Sequence, residues 1–136
     1  MRAVLDTNVY VSAFVFGGLP RAVFEEAERG TFELFSSTHI KEETERILRE
    51  KFNWSQGKVS QAVEPLWEIS TIVVPKQTLS VLQDESDNRI LECAASAQAF
   101  CIVSGDNDLL SLGEFEGILI FTVREFLASL AGELAA

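Results

Sequence analysis

Five acidic side chains of this chain fall where solvation alone does not explain a carboxylate. Asp6 closes the short apolar run "RAVL", and Asp106 and Asp108 flank Asn107 directly after a second apolar run, "AFCIV". Runs of this kind read as buried strands, so each strand ends on negative charge. Asp87 stands at a helix start within "DESDNR". Glu43 lies three residues after Ile40 and four before Ile47, close to the apolar stripe of its helix, whereas Glu42 and Glu45 project away from that stripe. Taken singly, each acid has an ordinary explanation: Asp6 as a helix N-cap, Asp87 as a first-turn acid, Asp106 as a turn residue, Glu43 as a solvated charge. Gathered in one crevice they would repel, raising at least one pKa at a cost in stability. A hard cation such as Mg²⁺ or Mn²⁺ removes that conflict, because it favours carboxylate and water oxygens.

Positioning these acids requires an alternation of strands and helices, and the chain carries one. "RAVL" is a strand, and "NVYVSAFVF" a helix stopped by Gly17 and Gly18. Pro20 opens a helix that ends at Gly30, and "FELFSS" is a second strand. Thr38 is placed to cap "HIKEETERILREKF", and residues 55–70 have helical periodicity that Pro65 should kink or divide. "TIVVP" is a third strand, residues 76–86 a polar connection with Ser86 as N-cap, and 87–98 the next helix. "FCIV" and "GILIF" make strands four and five, and Thr122 caps a closing helix, "VREFLASLAGEL". Short, continuously apolar strands between helices imply a parallel sheet covered on both faces, so the fold class is α/β with about five strands. Such sheets bind ligands beyond the carboxyl ends of their strands, where strand order reverses. Asp6 and Asp106 share that crevice if the first and fourth strands are neighbours.

Composition narrows the function classes. At 136 residues, with 47% hydrophobic and 24% charged residues, the chain fits one ordinary domain with a real core. No apolar stretch reaches the roughly 20 residues needed to span a bilayer, and Asp6 interrupts the run that would otherwise serve as a signal-peptide core, so no membrane association and a cytoplasmic location are expected. Cys93 and Cys101 sit in apolar sequence without partners at metal-ligand spacing and read as buried reduced thiols. The net charge of -10 argues against a broad basic footprint for nucleic acid, yet it suits acids that hold cations. Arg46, Arg49, Lys51 and Lys58 form the densest basic stretch, suited either to flanking phosphates or to a solvated helix face. His39, the one histidine, reads as a surface residue near a helix start. Phe14, Phe16 and Phe24 crowd the first two helices densely enough to suggest a homodimer.

The order of the motifs "VLDTNV", "SSTHIKEETERIL", "DESDNRILECA" and "IVSGDNDLL" resembles the PIN-domain family of nucleases, including its toxin-like, VapC-type bacterial and archaeal members, over residues 2 to about 127. The resemblance implies a three-layer α/β/α sandwich with a central parallel sheet and a Mg²⁺- or Mn²⁺-dependent ribonuclease using one or two ions. The family's acids map onto Asp6, Glu43, Asp87 and Asp106, with Asp108 as a frequent fifth, and Thr7, Asn8 and Ser104 match polar positions that support them. "DESDNR" is less acidic than the segment many relatives carry; its acid is assigned to Asp87, with Asp84 as the alternative and Asn88 one residue out of register. The implied reaction is hydrolysis of RNA, preferentially single-stranded, with Asp6, Asp87 and Asp106 as ligands, Glu43 positioning water or a second ion and Asp108 acting from the rim. Toxin-like members add a cognate antitoxin protein as an expected partner. Two rival readings are an aspartyl-phosphate phosphatase, which wants a second acid where Asn8 stands, and a non-catalytic acidic interaction domain.

Overall fold

Strand β1 (Arg2–Leu5) is apolar throughout its inner part because it runs through the middle of the sheet, where Ala3, Val4 and Leu5 are fully buried. The computed structural model of the protein describes residues 1–132. After β1 come α1 (Thr7–Phe16), α2 (Gly18–Glu28), β2 (Glu33–Ser37), α3 (Thr38–Phe52), α4 (Gln56–Ile69) and β3 (Thr71–Val73). The second half adds α5 (Glu85–Ala97), β4 (Cys101–Val103), α6 (Asn107–Leu112), β5 (Glu114–Phe115), β6 (Ile118–Phe121) and α7 (Val123–Leu130). The order across the sheet is β3-β2-β1-β4-β6-β5. Five strands run parallel, and the helices make the outer layers of the α/β/α sandwich.

The chain winds outward from β1 through β2 to β3 and then returns to place β4 on the other side of β1, pairing Ala3 with Cys101, Val4 with Ile102 and Leu5 with Val103. Strand order therefore reverses between β1 and β4, and the carboxyl ends of both strands open on one crevice. The Asp6 N–H donates to the Val103 carbonyl at 2.9 Å, which continues the pairing one residue past the strand.

Several local expectations change. The sheet has a sixth strand, β5, paired antiparallel to β6 across the two-residue turn Glu116–Gly117, both at positive φ (49° and 83°). That is the geometry of a primed hairpin turn, hidden in the sequence because Glu replaces the usual Asn or Asp. Pro65 does not divide α4, which is continuous from Gln56 to Ile69. Both Pro65 and Gln61, whose carbonyl loses its partner, face solvent, while Val59, Val63 and Leu66 anchor the two halves on one buried face. Helix α3 is capped by Ser37 rather than Thr38, with the Ser37 Oγ accepting from the Ile40 N–H at 3.3 Å. Asp84, not Ser86, caps α5, accepting the Ser86 N–H at 2.8 Å. Thr122 caps α7 in a full capping box with Glu125. The expected closing helix extended to residue 134, and its final residues lie outside the described ones. Phe24 enters the core and Phe14 packs on it at a ring separation of 5.0 Å, leaving Phe16 as the exposed member of the aromatic group. Core packing thus accounts for two of those three rings. Cys93 and Cys101 are buried free thiols, each pushed up to about 12 by burial.

The connection from β3 to α5 is held by side chains of α5. Asn88 accepts the N–H groups of Val81 and Leu82 through Oδ1 at 3.0 and 2.8 Å and donates Nδ2 to the Leu82 carbonyl at 2.8 Å. Glu92 accepts the Leu79 N–H and an Arg89 guanidinium N–H, both at 2.7 Å. Asn88→Leu, close in volume, removes three hydrogen bonds at a fully buried position and should cost about 2–3 kcal/mol in urea denaturation. An unchanged midpoint would show that the clamp contributes nothing to the fold.

Candidate functional site

Each acid reaches the crevice from a different element. Asp6 occupies the N-cap position of α1, yet its side chain makes no capping hydrogen bond. Instead Oδ2 accepts the hydroxyl of Ser104 at 2.7 Å. Ser104, fully buried just past β4, also accepts the Asp106 N–H at 2.9 Å, so one hydroxyl joins the two strand ends. Asp106 does cap its helix: Oδ1 accepts the N–H groups of Asp108 and Leu109 at 2.9 and 3.1 Å. That fold-back holds Asp106 and Asp108 together at the start of α6. Thr7 is buried and Asn8 exposed in the first turn of α1.

Asp87 projects into the crevice from the first turn of α5, while Asn88, the next residue, is turned to the connection it clamps. Asp84 is exposed and occupied as a cap. Of the three candidates for this position, Asp87 is the one whose carboxylate joins the other acids. One carboxylate oxygen from each of Asp87, Asp106 and Asp108 lies within 4.8 Å of the other two. Asp6 stands beside this trio rather than in it, with one oxygen committed to Ser104. The tight group includes Asp108, expected among the metal-binding acids and acting from the rim, with Asp6 beside it.

The electrostatics match the geometry. Burial pushes the Asp87 carboxyl up to about 7, with Asp106, Asp84, Asp6 and Asp108 adding to the effect. Burial likewise raises Asp6 to about 6, against the lowering influence of the Ser104 hydroxyl and with Asp106 raising it further. The Asp87 Oδ2 is buried and has no hydrogen-bond partner among the described residues. An orphaned carboxylate oxygen in a set of all-oxygen donors fits a hard divalent cation, which would satisfy the atom and neutralise its neighbours.

Glu43 approaches from α3. Its side chain is 17% exposed, and Oε2 lies 2.9 Å from the His39 Nε2 while accepting the Ser86 hydroxyl at 3.1 Å. Its charge contributes to raising Asp6, so it acts on the same crevice. The sequence treated His39 as isolated, although its spacing of four from Glu43 on one helix was a usable signal. Ser86, read as a cap, is freed for Glu43 because Asp84 performs the capping. His39, Glu42, Glu43, Arg46 and Ser86 line one cavity of about 260 Å³. The other basic candidates point elsewhere: Arg49 donates to Gln56, Lys51 is exposed in the last turn of α3, and the Lys58 ammonium sits 4.1 Å from the Trp54 ring centre. Arg46 itself is paired with Glu50 at 3.0 Å.

Comparison with known proteins gives this arrangement a family. A chain of VapBC2 from Rickettsia felis, solved bound to a DNA fragment from its promoter, shares the fold at a TM-score of 0.61, with 13% identity over 90% of this chain and 98% of that one. "Uncharacterized protein MJ1680" of Methanocaldococcus jannaschii is 27% identical over 117 residues, 82% of this chain and 75% of the relative. The family model described as "PIN domain" matches residues 2–108, from β1 through the Asp106–Asp108 turn. The chain belongs to the PIN-domain family of nucleases.

Proposed function

We propose that this protein is a Mg²⁺- or Mn²⁺-dependent endoribonuclease whose cation is held by Asp87, Asp106 and Asp108, with Asp6 and Glu43 completing the site. The observation that carries the reading is the buried Asp87 carboxylate, with Oδ2 unpartnered among the described residues, grouped with the carboxylates of Asp106 and Asp108 at the switch point of the sheet. When bound, one or two such ions supply a Lewis acid that attracts a phosphodiester and acidifies water. The chain's own part is preorganisation. Ser104 fixes Asp6 against the loop that carries Asp106, the α6 cap fixes Asp106 against Asp108, and the Asn88 clamp sets the orientation from which Asp87 projects. Glu43, held on Oε2, orients water or a second ion through its remaining oxygen. With a net charge of -10 there is little long-range attraction for a polyanion, so affinity depends on the ion and on few local cations. Arg46, on the cavity that Glu43 lines, is the basic side chain best placed for a flanking phosphate.

The substrate we assign is single-stranded RNA, whose flexible backbone can bend into an acid-lined crevice that repels the stiff rails of a duplex. The test is incubation of end-labelled single-stranded and duplex RNA of one sequence with Mn²⁺ or with a chelator. Internal cuts in the single strand that need Mn²⁺ are expected, with little cutting of duplex; cuts undiminished by the chelator would remove the metal from the account. The likeness in fold to a VapBC2 chain supports a finer proposal, a toxin role with a cognate antitoxin protein as partner. Under it, induced expression of this chain alone slows growth, and equal growth with and without induction would count against it.

A further inference from the structure

Glu43 is gripped on one side only. Both protein groups that approach it, the His39 imidazole at 2.9 Å and the Ser86 hydroxyl at 3.1 Å, meet the same oxygen, Oε2, and Oε1 has no donor among the described residues. The two groups come from different elements, α3 and the first turn of α5. The 2.9 Å approach of the His39 Nε2 to a carboxylate oxygen is an ion-pair distance, favourable when that nitrogen carries a hydrogen. His39 is also the more exposed partner, its side chain 42% accessible against 17% for Glu43, so the ring closes the outer side of the carboxylate.

We propose that His39 is a positioning residue for Glu43: its imidazole, in ion-pair contact with Oε2 and acting with the Ser86 hydroxyl, holds that oxygen and leaves Oε1 as the working oxygen. This assignment rests on the ribonuclease reading above and adds to it a residue that acts through Glu43 without touching RNA. A direct phosphate contact by His39 would instead act on substrate affinity whether or not Glu43 is present.

The experiment uses the full chain and three variants, His39→Leu, His39→Gln and Glu43→Ala, with the His39 and Glu43 changes also combined. In Mn²⁺-dependent cleavage of single-stranded RNA, His39→Leu should lower kcat about 10- to 100-fold with KM for RNA unchanged, since loss of a group that orients a metal-site side chain has effects of that order. His39→Gln, which keeps an N–H donor of similar reach, should restore most of the rate. In the Glu43→Ala background, His39→Leu should have no further effect on kcat. A readout independent of activity is the urea midpoint of the metal-free protein, where the His39→Leu loss should vanish in the Glu43→Ala background. Additive midpoint shifts would show that the contact does not form and would overturn the proposal. A rise in KM in both backgrounds would replace it with direct RNA binding. Wild-type kcat in the His39→Leu protein overturns the positioning role while leaving the ribonuclease reading intact; a wild type that leaves RNA uncut with Mn²⁺ overturns that reading and the positioning role with it.

Discussion

Asp87→Asn is expected to make the metal-free protein more stable by about 1–2 kcal/mol at pH 8, roughly 3–6 °C in Tm for a domain of this size. The argument starts from the carboxyl that burial and four neighbouring aspartates raise from 3.8 to about 7. At pH 8 its charged form is disfavoured in the folded chain relative to water. Asparagine keeps the shape and deletes the charge. The pH dependence has a fixed sign: a carboxyl that binds its proton more tightly when folded contributes stability that is full below about pH 4 and is lost as pH rises through about 7. Asp6, raised to about 6, acts in the same direction over a slightly lower window. Denaturation of wild type and variant from pH 4 to 8 should give curves that meet at the acid end and separate toward pH 8, the variant above. Parallel curves, or a variant that falls below wild type at pH 8, would show that the crevice does not store this repulsion.

The same carboxylates that strain the metal-free fold should be indispensable once the ion is bound. Asp106→Asn is expected to lower Mn²⁺-dependent cleavage on the order of 100-fold or more, because loss of a mere supporting partner at a metal site already costs 10–100-fold. Its side chain also caps α6, but an asparagine Oδ1 still accepts the Asp108 and Leu109 N–H groups, so the fold should survive the change. Glu28→Gln, at an exposed position of α2, controls for a general effect of losing one negative charge. Equal rates for Asp106→Asn and Glu28→Gln, with both proteins folded by circular dichroism, would separate the acid cluster from the chemistry.

The parts of this site that are legible in sequence are those fixed by strand ends. An apolar run must be buried, its first charged residue must leave the sheet, and parallel winding collects such residues at one edge, so Asp6 and Asp106 follow from local pattern plus the α/β alternation. Helix boundaries were harder, since Ser37 and Thr38, or Asp84 and Ser86, satisfy the same capping signature and only packing decides between them. That ambiguity hid Ser86 from the site, because a hydroxyl assigned to a cap is not sought as a partner for Glu43 43 residues away. How closely Asp108 approaches Asp106 was hidden for a related reason: the turn that folds its N–H onto Asp106 draws the two carboxylates together, and spacing along the chain does not reveal a fold-back. Pro65 shows the opposite case: a residue that divides most helices stays inside α4 where the freed carbonyl faces water.

All of this depends on Asp87, Asp106 and Asp108 forming one cation site. Anomalous diffraction at the manganese edge from crystals grown with Mn²⁺ addresses it directly. The structure predicts an anomalous peak bounded by carboxylate oxygens of these three residues. Well-ordered density for the three side chains with no peak between them at saturating Mn²⁺, or Mn²⁺ bound only elsewhere on the protein, would contradict it.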